Sequence, residues 1–354
     1  MLQEFCKRYD IQPQKIVVGV SGGADSLYAV LEVYKELMPL GFEIIALTVD
    51  HGLRPSSHKE AAFVADLMKT KGIEHHILYW EGNKPKTGVE EAARNARYEL
   101  MEKWCEEHQV RYLITAHHLY DQVETFFMRL QRGSGLDGLC GMREITPFKS
   151  VYVLRPFLET NPQLFKTSLR QQHIQWIEDE SNEDERLLRV KIRHFLPIFE
   201  EKTGIKLSQV GQTMNRLQSS RGYFERKIQS FLKNHCKNFA DKVFCCSFKL
   251  FCTQDEEIQY RLMAYLIKFV SEADYAPQAD KILSLLQRLT QETFKSGTLG
   301  HCRIIKVGDF IWFLPEIRKE KRYSKEVWRE YLNTHIELKK MKLPAAVKHF
   351  FVNQ

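Results

Sequence analysis

Residues 15–20, Lys-Ile-Val-Val-Gly-Val, form an apolar run too short for a helix, and it stops at Ser21-Gly22-Gly23-Ala24-Asp25-Ser26. Behind that turn, Leu27, Val30, Leu31, Tyr34, Leu37 and Met38 recur at helical spacing. A run with no polar alternation is what a strand buried on both faces of a parallel sheet requires. A strand that feeds a helix through a glycine-rich turn commits the chain to strand–helix–strand units. The following residues repeat the theme. Phe42–Asp50 reads as strand, Ser57–Lys71 as amphipathic helix, His75–Trp80 as strand and Glu90–His108 as helix. Arg111–Ala116 is a fourth strand, a helix follows from about Asp121 to Arg132, and Val151–Leu154 makes a fifth strand. The alternation predicts an α/β fold, an open doubly wound parallel sheet with helices on both faces.

The alternation stops near residue 180. Arg186–Glu200 looks helical and basic, and Ser208–Lys233 fits one long amphipathic helix through Val210, Met214, Leu217, Phe224, Ile228 and Phe231. Glu256–Phe269 and Ala279–Thr290 read as further helices, and Arg303–Leu314 as a hairpin turning at Gly308-Asp309. The expected organisation is a first domain over 1–203, a mostly helical second domain with a short hairpin over 204–316, and a basic tail over 317–354. From Arg318 to Gln354 there are ten Lys/Arg against four Asp/Glu, so nearly all of the overall charge of +7 lies there. Such a segment attracts polyanions, RNA first among them, unless it is merely a solvated tail. No apolar run approaches the roughly 18 residues of a membrane span, and the first residues lack the apolar core of a signal peptide. The eight cysteines show no CxxC and no metal-ligand spacing. The expectation is a cytoplasmic protein with reduced thiols and no membrane contact.

The turn at 21–26 has a chemical use. The first N–H groups of a helix lack internal partners and carry the positive end of the helix dipole, so anions bind there. Gly22 and Gly23 permit close approach, and the Ser21 and Ser26 hydroxyls are donors. The P-loop pattern G-x-x-x-x-G-K-[ST] is absent. Asp25 makes little sense against bare phosphate, but it makes sense if Mg²⁺ bridges its carboxylate and a triphosphate. Ligands in a doubly wound sheet sit beyond the strand C-termini, where strand order reverses. Two more segments begin there: Asp50-His51-Gly52-Leu53-Arg54 and Thr115-Ala116-His117-His118-Leu119-Tyr120-Asp121-Gln122-Val123-Glu124-Thr125. Asp121 and Glu124 are three apart and share a helix face. Asp121 is a candidate metal ligand, or a base that positions an incoming amine, with a simple helix cap as the plain alternative. Adjacent histidines invite a zinc reading, but neighbours point apart and no third ligand is suggested. Arg94 and Arg97, three apart, are either a phosphate clamp or a surface stripe paired with Glu90 and Glu91.

SGGADS after a buried strand resembles the signature of the PP-loop, or N-type ATP pyrophosphatase, family, whose members cleave ATP between the α- and β-phosphates. With it, VDHGLR, EEAARNARY, TAHHLYDQVET, LQRGSGLDGLCGM, RPFLE and DESN followed by two arginines resemble the tRNA(Ile)-lysidine synthetases over roughly residues 15–200. The resemblance implies ligation of free L-lysine to C2 of the wobble cytidine of a CAU-anticodon tRNA(Ile), through an adenylated tRNA, with ATP and Mg²⁺. AUG/Met specificity thereby becomes AUA/Ile. It implies that Ser21, Gly22, Gly23, Ala24, Asp25 and Ser26 bind ATP, with Asp25 as the metal ligand. Asp50, His51, Arg97, His117 and Arg189 are implied on the nucleotide side, and Asp25, Asp121 and Arg193 in catalysis. Gly133, Gly135 and Gly138 match a glycine loop suited to moving over a substrate. Val190 stands where the family usually has Asn, the second domain matches loosely, and most of the further C-terminal domain of longer members is not expected. A homodimer is compatible with all of this, and the sequence does not fix the oligomeric state. Two other readings are a PP-loop tRNA thiolase, which would want CxxC-type cysteines, and a catalytically dead tRNA-binding protein, against which the intact Ser21, Asp25 and Asp121 argue.

Overall fold

The computed structural model describes residues 1–82, 84–85, 87–178, 188–239, 242–273, 275–316, 325–334 and 343–352. The chain forms two units, Met1–Ser219 and Ser220–Gln354.

Unit one holds α1 (Leu2–Arg8), β1 (Lys15–Gly19), α2 (Ala24–Leu37), β2 (Glu43–Asp50), α3 (Ser57–Lys71), β3 (Glu74–Tyr79), α4 (Val89–Glu107), β4 (Tyr112–Ile114), α5 (Leu119–Gln131), α6 (Leu136–Leu139), β5 (Ile145–Phe148), β6 (Val151–Leu154), α7 (Gln163–Gln171) and α8 (Leu188–Thr203). Strand order is β3-β2-β1-β4-β6-β5. Ile16, Val17 and Val18 of β1 are all 0% exposed, as a central strand covered on both faces demands. On one face Ile16 and Val18 pack with α2 residues such as Leu27 and Val30. On the other, Val17 packs with Tyr98, Met101 and Trp104 of α4. The chain runs outward from β1 to β3 and returns as β4 on the other side of β1, so the order reverses between β1 and β4.

Five strands are parallel, as expected, but the sheet is mixed, because β5 adds an antiparallel edge to β6. The expectation missed β5 because Pro147 lies in it, and proline is tolerated on an edge strand whose N–H side needs no partner.

The helix α9 (Leu207–His235) covers the predicted Ser208–Lys233, and the division of the chain falls inside it at Ser219/Ser220, later than the expected 203/204. Leu207 packs with Leu119, Val123, Ile192 and Leu196, which holds the start of α9 to unit one.

Unit two continues with β7 (Cys236–Phe239), β8 (Val243–Ser247), α10 (Phe248–Cys252), α11 (Glu256–Ser271), α12 (Ala279–Leu289), β9 (Ser296–Leu299), β10 (Cys302–Val307), β11 (Phe310–Pro315), α13 (Lys325–Thr334) and α14 (Ala345–Val352). The predicted hairpin is β10–β11, with Gly308 at φ 56° in its turn. It sits inside an antiparallel sheet of order β7-β8-β11-β10-β9, where the sequence had indicated a hairpin alone. The added strands have four or five residues each, too few for alternation to show. Ile258, Leu262, Leu266 and Ile282 cover one face of this sheet.

Trp312, Leu314 and Cys245 on the other face pack with Leu343, Val347 and Phe351. The segment read as a basic tail is therefore partly a folded cover. Residues 317–324 and 335–342, with most of its charge, lie outside the described residues, as does the DESN segment within 179–187. All eight cysteines are free, and no described helix is long and apolar enough to cross a membrane.

Candidate active site

The turn between β1 and α2 has the shape an anion site needs. Gly22 adopts φ 87°, in the left-handed region, and a side chain there would place its Cβ 2.5 Å from Ile177 Cδ1. The Ile177 N–H donates to the Gly22 carbonyl at 3.0 Å. The turn is held on one flank by Ile177 while Ser21 on the other is exposed. Ser26 is the internal brace: its Oγ accepts from the Ser21 N–H at 3.1 Å, lies 3.2 Å from Ser21 Oγ and donates to the Gly23 carbonyl at 3.0 Å. Gly23 is the N-cap of α2 and uses no side-chain cap, so the first N–H groups of that helix keep their binding capacity. Asp25, in the first turn, has a side chain 44% exposed.

Beyond the C-terminus of β4, His118 is the N-cap of α5, in a reciprocal capping box with Asp121. The His118 N–H donates to Asp121 Oδ2 at 3.0 Å, and the Asp121 N–H reaches His118 Nδ1 at 3.4 Å. That geometry turns the other ring nitrogen of His118 to 3.3 Å from Asp25 Oδ2. Burial opposes a charge on His118. The hydrogen bond to Asp25, with the nearby Asp121 and Glu124, outweighs it and raises the pKa above the ordinary 6.5. Burial would likewise push the Asp121 carboxyl up, yet His118 and Arg189 hold it below 3.8.

Arg189 and Arg193, one turn apart on α8, close the network. Arg189 donates from Nη2 to Asp121 Oδ1 at 2.5 Å and from Nε to Glu124 Oε2 at 2.5 Å, and Arg193 donates from Nε to Glu124 Oε1 at 2.7 Å. Glu124 is 0% exposed. Burial opposes both guanidinium charges, but these carboxylates raise both pKa values. Val190 between the two arginines is buried, so an apolar residue suits the position.

Of the two adjacent histidines, the sequence had put His117 in the site. The structure puts His118 against Asp25 and Asp121, and His117 bonds through Nδ1 to Thr115 Oγ1 at 2.8 Å. Burial, with Arg155, Arg94 and Arg189 nearby, outweighs the opposing charge of Asp121 and pushes the His117 pKa down to about 3. Successive residues leaving a strand point to opposite faces, which separates the pair. The available signal was a cap-type residue with Asp three positions on.

Asp50 is 3% exposed and builds its own loop: Oδ1 accepts from the Gly52 N–H at 3.0 Å, and Oδ2 meets His58 Nδ1. His51 Nδ1 accepts from the Leu53 N–H at 3.2 Å. Arg97 is exposed on α4 and has no carboxylate partner among the described residues. Gln122, which sequence reasoning passed over, pins the glycine loop. Its Nε2 donates to the Met142 carbonyl at 2.9 Å, and its Oε1 accepts from the Met142 N–H at 2.7 Å. Among the described residues no group of three His, Cys, Asp or Glu is placed to hold a metal ion by itself. One half-exposed carboxylate at an anion-binding turn does fit Mg²⁺, which takes one or two protein carboxylates and completes its shell with phosphates and water.

Comparison with known proteins points the same way. The family model described as a PP-loop domain matches residues 1–198. The chain is 34% identical over 310 residues to the tRNA(Ile)-lysidine synthase of Wolbachia pipientis wMel, covering 85% of this chain and 70% of that protein. It is 32% identical over 332 residues to the tRNA(Ile)-lysidine synthase of Wolbachia sp. subsp. Brugia malayi (strain TRS), covering 92% and 76%. Among solved structures, the U34-tRNA thiolase NcsA from Methanococcus maripaludis, with its 4Fe-4S cluster, aligns with TM-score 0.51 over 58% of this chain and 73% of that one, at 16% identity. That last likeness is one of fold.

Proposed function

This chain belongs to the tRNA(Ile)-lysidine synthase family of PP-loop proteins, and we propose that it performs that family's reaction with the residues gathered between Asp25 and Arg193. It is an ATP-using ligase that forms lysidine on tRNA(Ile). The observation that carries the assignment of residues is the unbroken chain of contacts from Asp25 through His118 and Asp121 to Arg189, at the point where strand order reverses.

In this reading the N–H groups and hydroxyls of Ser21–Ser26 orient the ATP phosphates for attack by the cytidine C2 oxygen. Asp25 would hold Mg²⁺, whose charge would ease departure of pyrophosphate. Asp121 fixes two cations. One of its oxygens is taken by Arg189 and the other by His118, so it serves less as a proton acceptor than as a positioning group. Arg189 and Arg193, held in place by Glu124, supply positive charge for the negative charge that develops during adenylation. Arg97 belongs at the nucleotide, and Asp50 and His51 contribute the shape of the loop beneath it. The amine of free lysine has an ordinary pKa of about 10.4, so attack requires a desolvating pocket or an acceptor for its proton. The glycine loop pinned by Gln122 and unit two, as the tRNA-binding domain, belong to recognition. The target cytidine must leave its stack to enter the site.

The thiolase reading rests on a fold likeness alone, and among the described residues no three His, Cys, Asp or Glu are placed to hold a metal ion as a cluster would need. The test is incubation with unmodified CAU-anticodon tRNA, ATP, Mg²⁺ and labelled lysine, followed by nucleoside mass spectrometry. Lysidine should form with the native enzyme and be lost with Asp25→Ala and Asp121→Ala. Unmodified cytidine throughout, with a folded protein, would remove the proposal.

A further inference from the structure

Among the described residues, Arg155 is a buried cation with no carboxylate partner. It directly follows β6 and is 9% exposed. Its Nη1 donates to the Arg143 carbonyl at 3.1 Å and to the Thr146 hydroxyl at 3.0 Å, and its Nε is buried with no acceptor. The Tyr98 hydroxyl is a further partner. No described carboxylate pairs with it. Taking a guanidinium out of water without an opposite charge is costly, and burial correspondingly pulls its pKa below the usual value.

A carboxylate, Asp121, does act on the neighbouring His117, but Arg189 and His118 already hold it. The Arg94 guanidinium lies 5.4 Å from the centre of the Tyr98 ring, and neither it nor Arg97 has a carboxylate partner among the described residues. His117 is neutral at physiological pH, with its pKa near 3. Two arginines and a neutral imidazole, from α4 and from the segments that follow β4 and β6, thus act on one another, and no described carboxylate is paired with either arginine.

That place is not the phosphate turn. Leu113 and Val153 face α4, whereas Ile114 and Leu154 face α2. The Thr115 N–H donates to the Leu154 carbonyl at 3.0 Å, so the pairing continues past the strand ends. The two-residue alternation therefore carries Thr115 and Arg155 to the α4 side. The turn at 21–26 leads instead into α2, on the opposite face.

We propose that Arg155, flanked by Arg94 and His117, is the subsite for the α-carboxylate of the amino-acid substrate. The proposal rests on the functional reading above and extends it. The nucleotide's phosphates already have their cradle on the α2 side. The free amino acid is the substrate whose anionic end still needs a partner, and a guanidinium with an unused N–H edge is suited to a planar carboxylate.

The test compares lysine with lysinamide, which keeps the side-chain amine and lacks the carboxylate. Lysidine-type product formation is followed at saturating tRNA in the native enzyme, Arg155→Lys and Arg94→Gln. The native enzyme should prefer lysine over lysinamide by about 10–100-fold in kcat/KM, the range of one charged hydrogen bond. Arg155→Lys should raise KM for lysine by about tenfold, leave KM for ATP nearly unchanged and erase most of the preference. Arg94→Gln, at an exposed position, should lower the preference to a smaller degree. It carries the comparison alone if Arg155→Lys does not fold. A preference retained in the folded variants, or a rise in KM for ATP with KM for lysine unchanged, overturns the proposal. Absence of lysidine from the native reaction would overturn the functional reading instead, and is seen before any variant is compared.

Discussion

His118 Nε2 stands 3.3 Å from Asp25 Oδ2, so one imidazole joins the phosphate turn after β1 to the helix that begins after β4. The same nitrogen lies 3.4 Å from Asp121 Oδ2. Two carboxylates on one ring favour its protonated form, and the preceding residue, His117, is held in the opposite state.

The two histidines should therefore titrate on opposite sides of 6.5. His118 has a folded pKa above the unfolded value, so its contribution to stability is full below pH 6.5 and fades as pH rises through the folded value. His117 has a folded pKa near 3, so it penalises folding as pH falls from 6.5 toward 3. NMR titration of labelled histidine should show the His118 ring still protonated above pH 6.5 and the His117 ring, like that of His75, still neutral near pH 5. Replacement of His118 by Gln should remove the first signal only. Two rings that both titrate near 6.5 would contradict the geometry.

The two glycines of the phosphate turn should respond differently to alanine. Gly22 has φ 87° and leaves a Cβ 2.5 Å from Ile177 Cδ1 and 3.2 Å from Val64 Cγ2. Gly22→Ala should cost about 1–2 kcal/mol from backbone conformation alone, with more from the contacts, and lower the melting temperature. At Gly23 the nearest contacts are 3.7 and 3.9 Å, ordinary separations. Gly23→Ala should melt like the native protein while raising KM for ATP, because the methyl stands where phosphate approaches.

Removal of the charge on Glu124 takes a carboxylate from both arginines and leaves Arg189 paired with Asp121. Breaking a fully buried pair costs about 3–5 kcal/mol. The Arg189 and Arg193 side chains are 34% and 37% exposed, so water screens part of the loss. Glu124→Gln should destabilise unit one by about 2–3 kcal/mol in urea unfolding. An unchanged midpoint would mean that solvent already carries the load.

Gln122→Leu tests the pin on the glycine loop. It leaves the Met142 N–H without its 2.7 Å acceptor, whereas the Met142 carbonyl keeps a second donor, Gln218 Nε2, at 3.0 Å. One orphaned buried group costs about 1–3 kcal/mol. Hydrogen exchange should quicken across residues 132–142 and stay native in β1.

Truncation before residue 318 cannot isolate a role in RNA binding. Val347 is 0% and Phe351 3% exposed, and both pack with Trp312. The truncated protein should expose that face and lose stability, whereas reversing the exposed Arg329 should leave the melting temperature native. If Arg329→Glu weakens tRNA binding and reduces its salt dependence, the segment is both cover and contact.

Much of the sheet was legible because period and length are local properties. The doubly apolar runs of β1 and β2 and the helical spacing of Leu27, Val30 and Leu31 need no partner to be recognised. The turn at Ser21–Ser26 could be read for the same reason, since a glycine at positive φ and the N–H groups of a following helix are features of consecutive residues. Asp121 and Glu124 were legible as one face of one helix. Short strands such as β7 and β9 were not, because four residues carry too little pattern and their pairing is with distant segments.

The sequence by itself determined that a phosphate-type turn follows the first strand and that acids and histidines cluster after the fourth. Only the tertiary structure decided which histidine meets Asp25, that Glu124 rather than solvent holds Arg189 and Arg193, and that Arg155 is buried with no carboxylate partner among the described residues. Those outcomes depend on which face each strand end presents and on contacts between residues more than 60 positions apart, and period alone specifies neither.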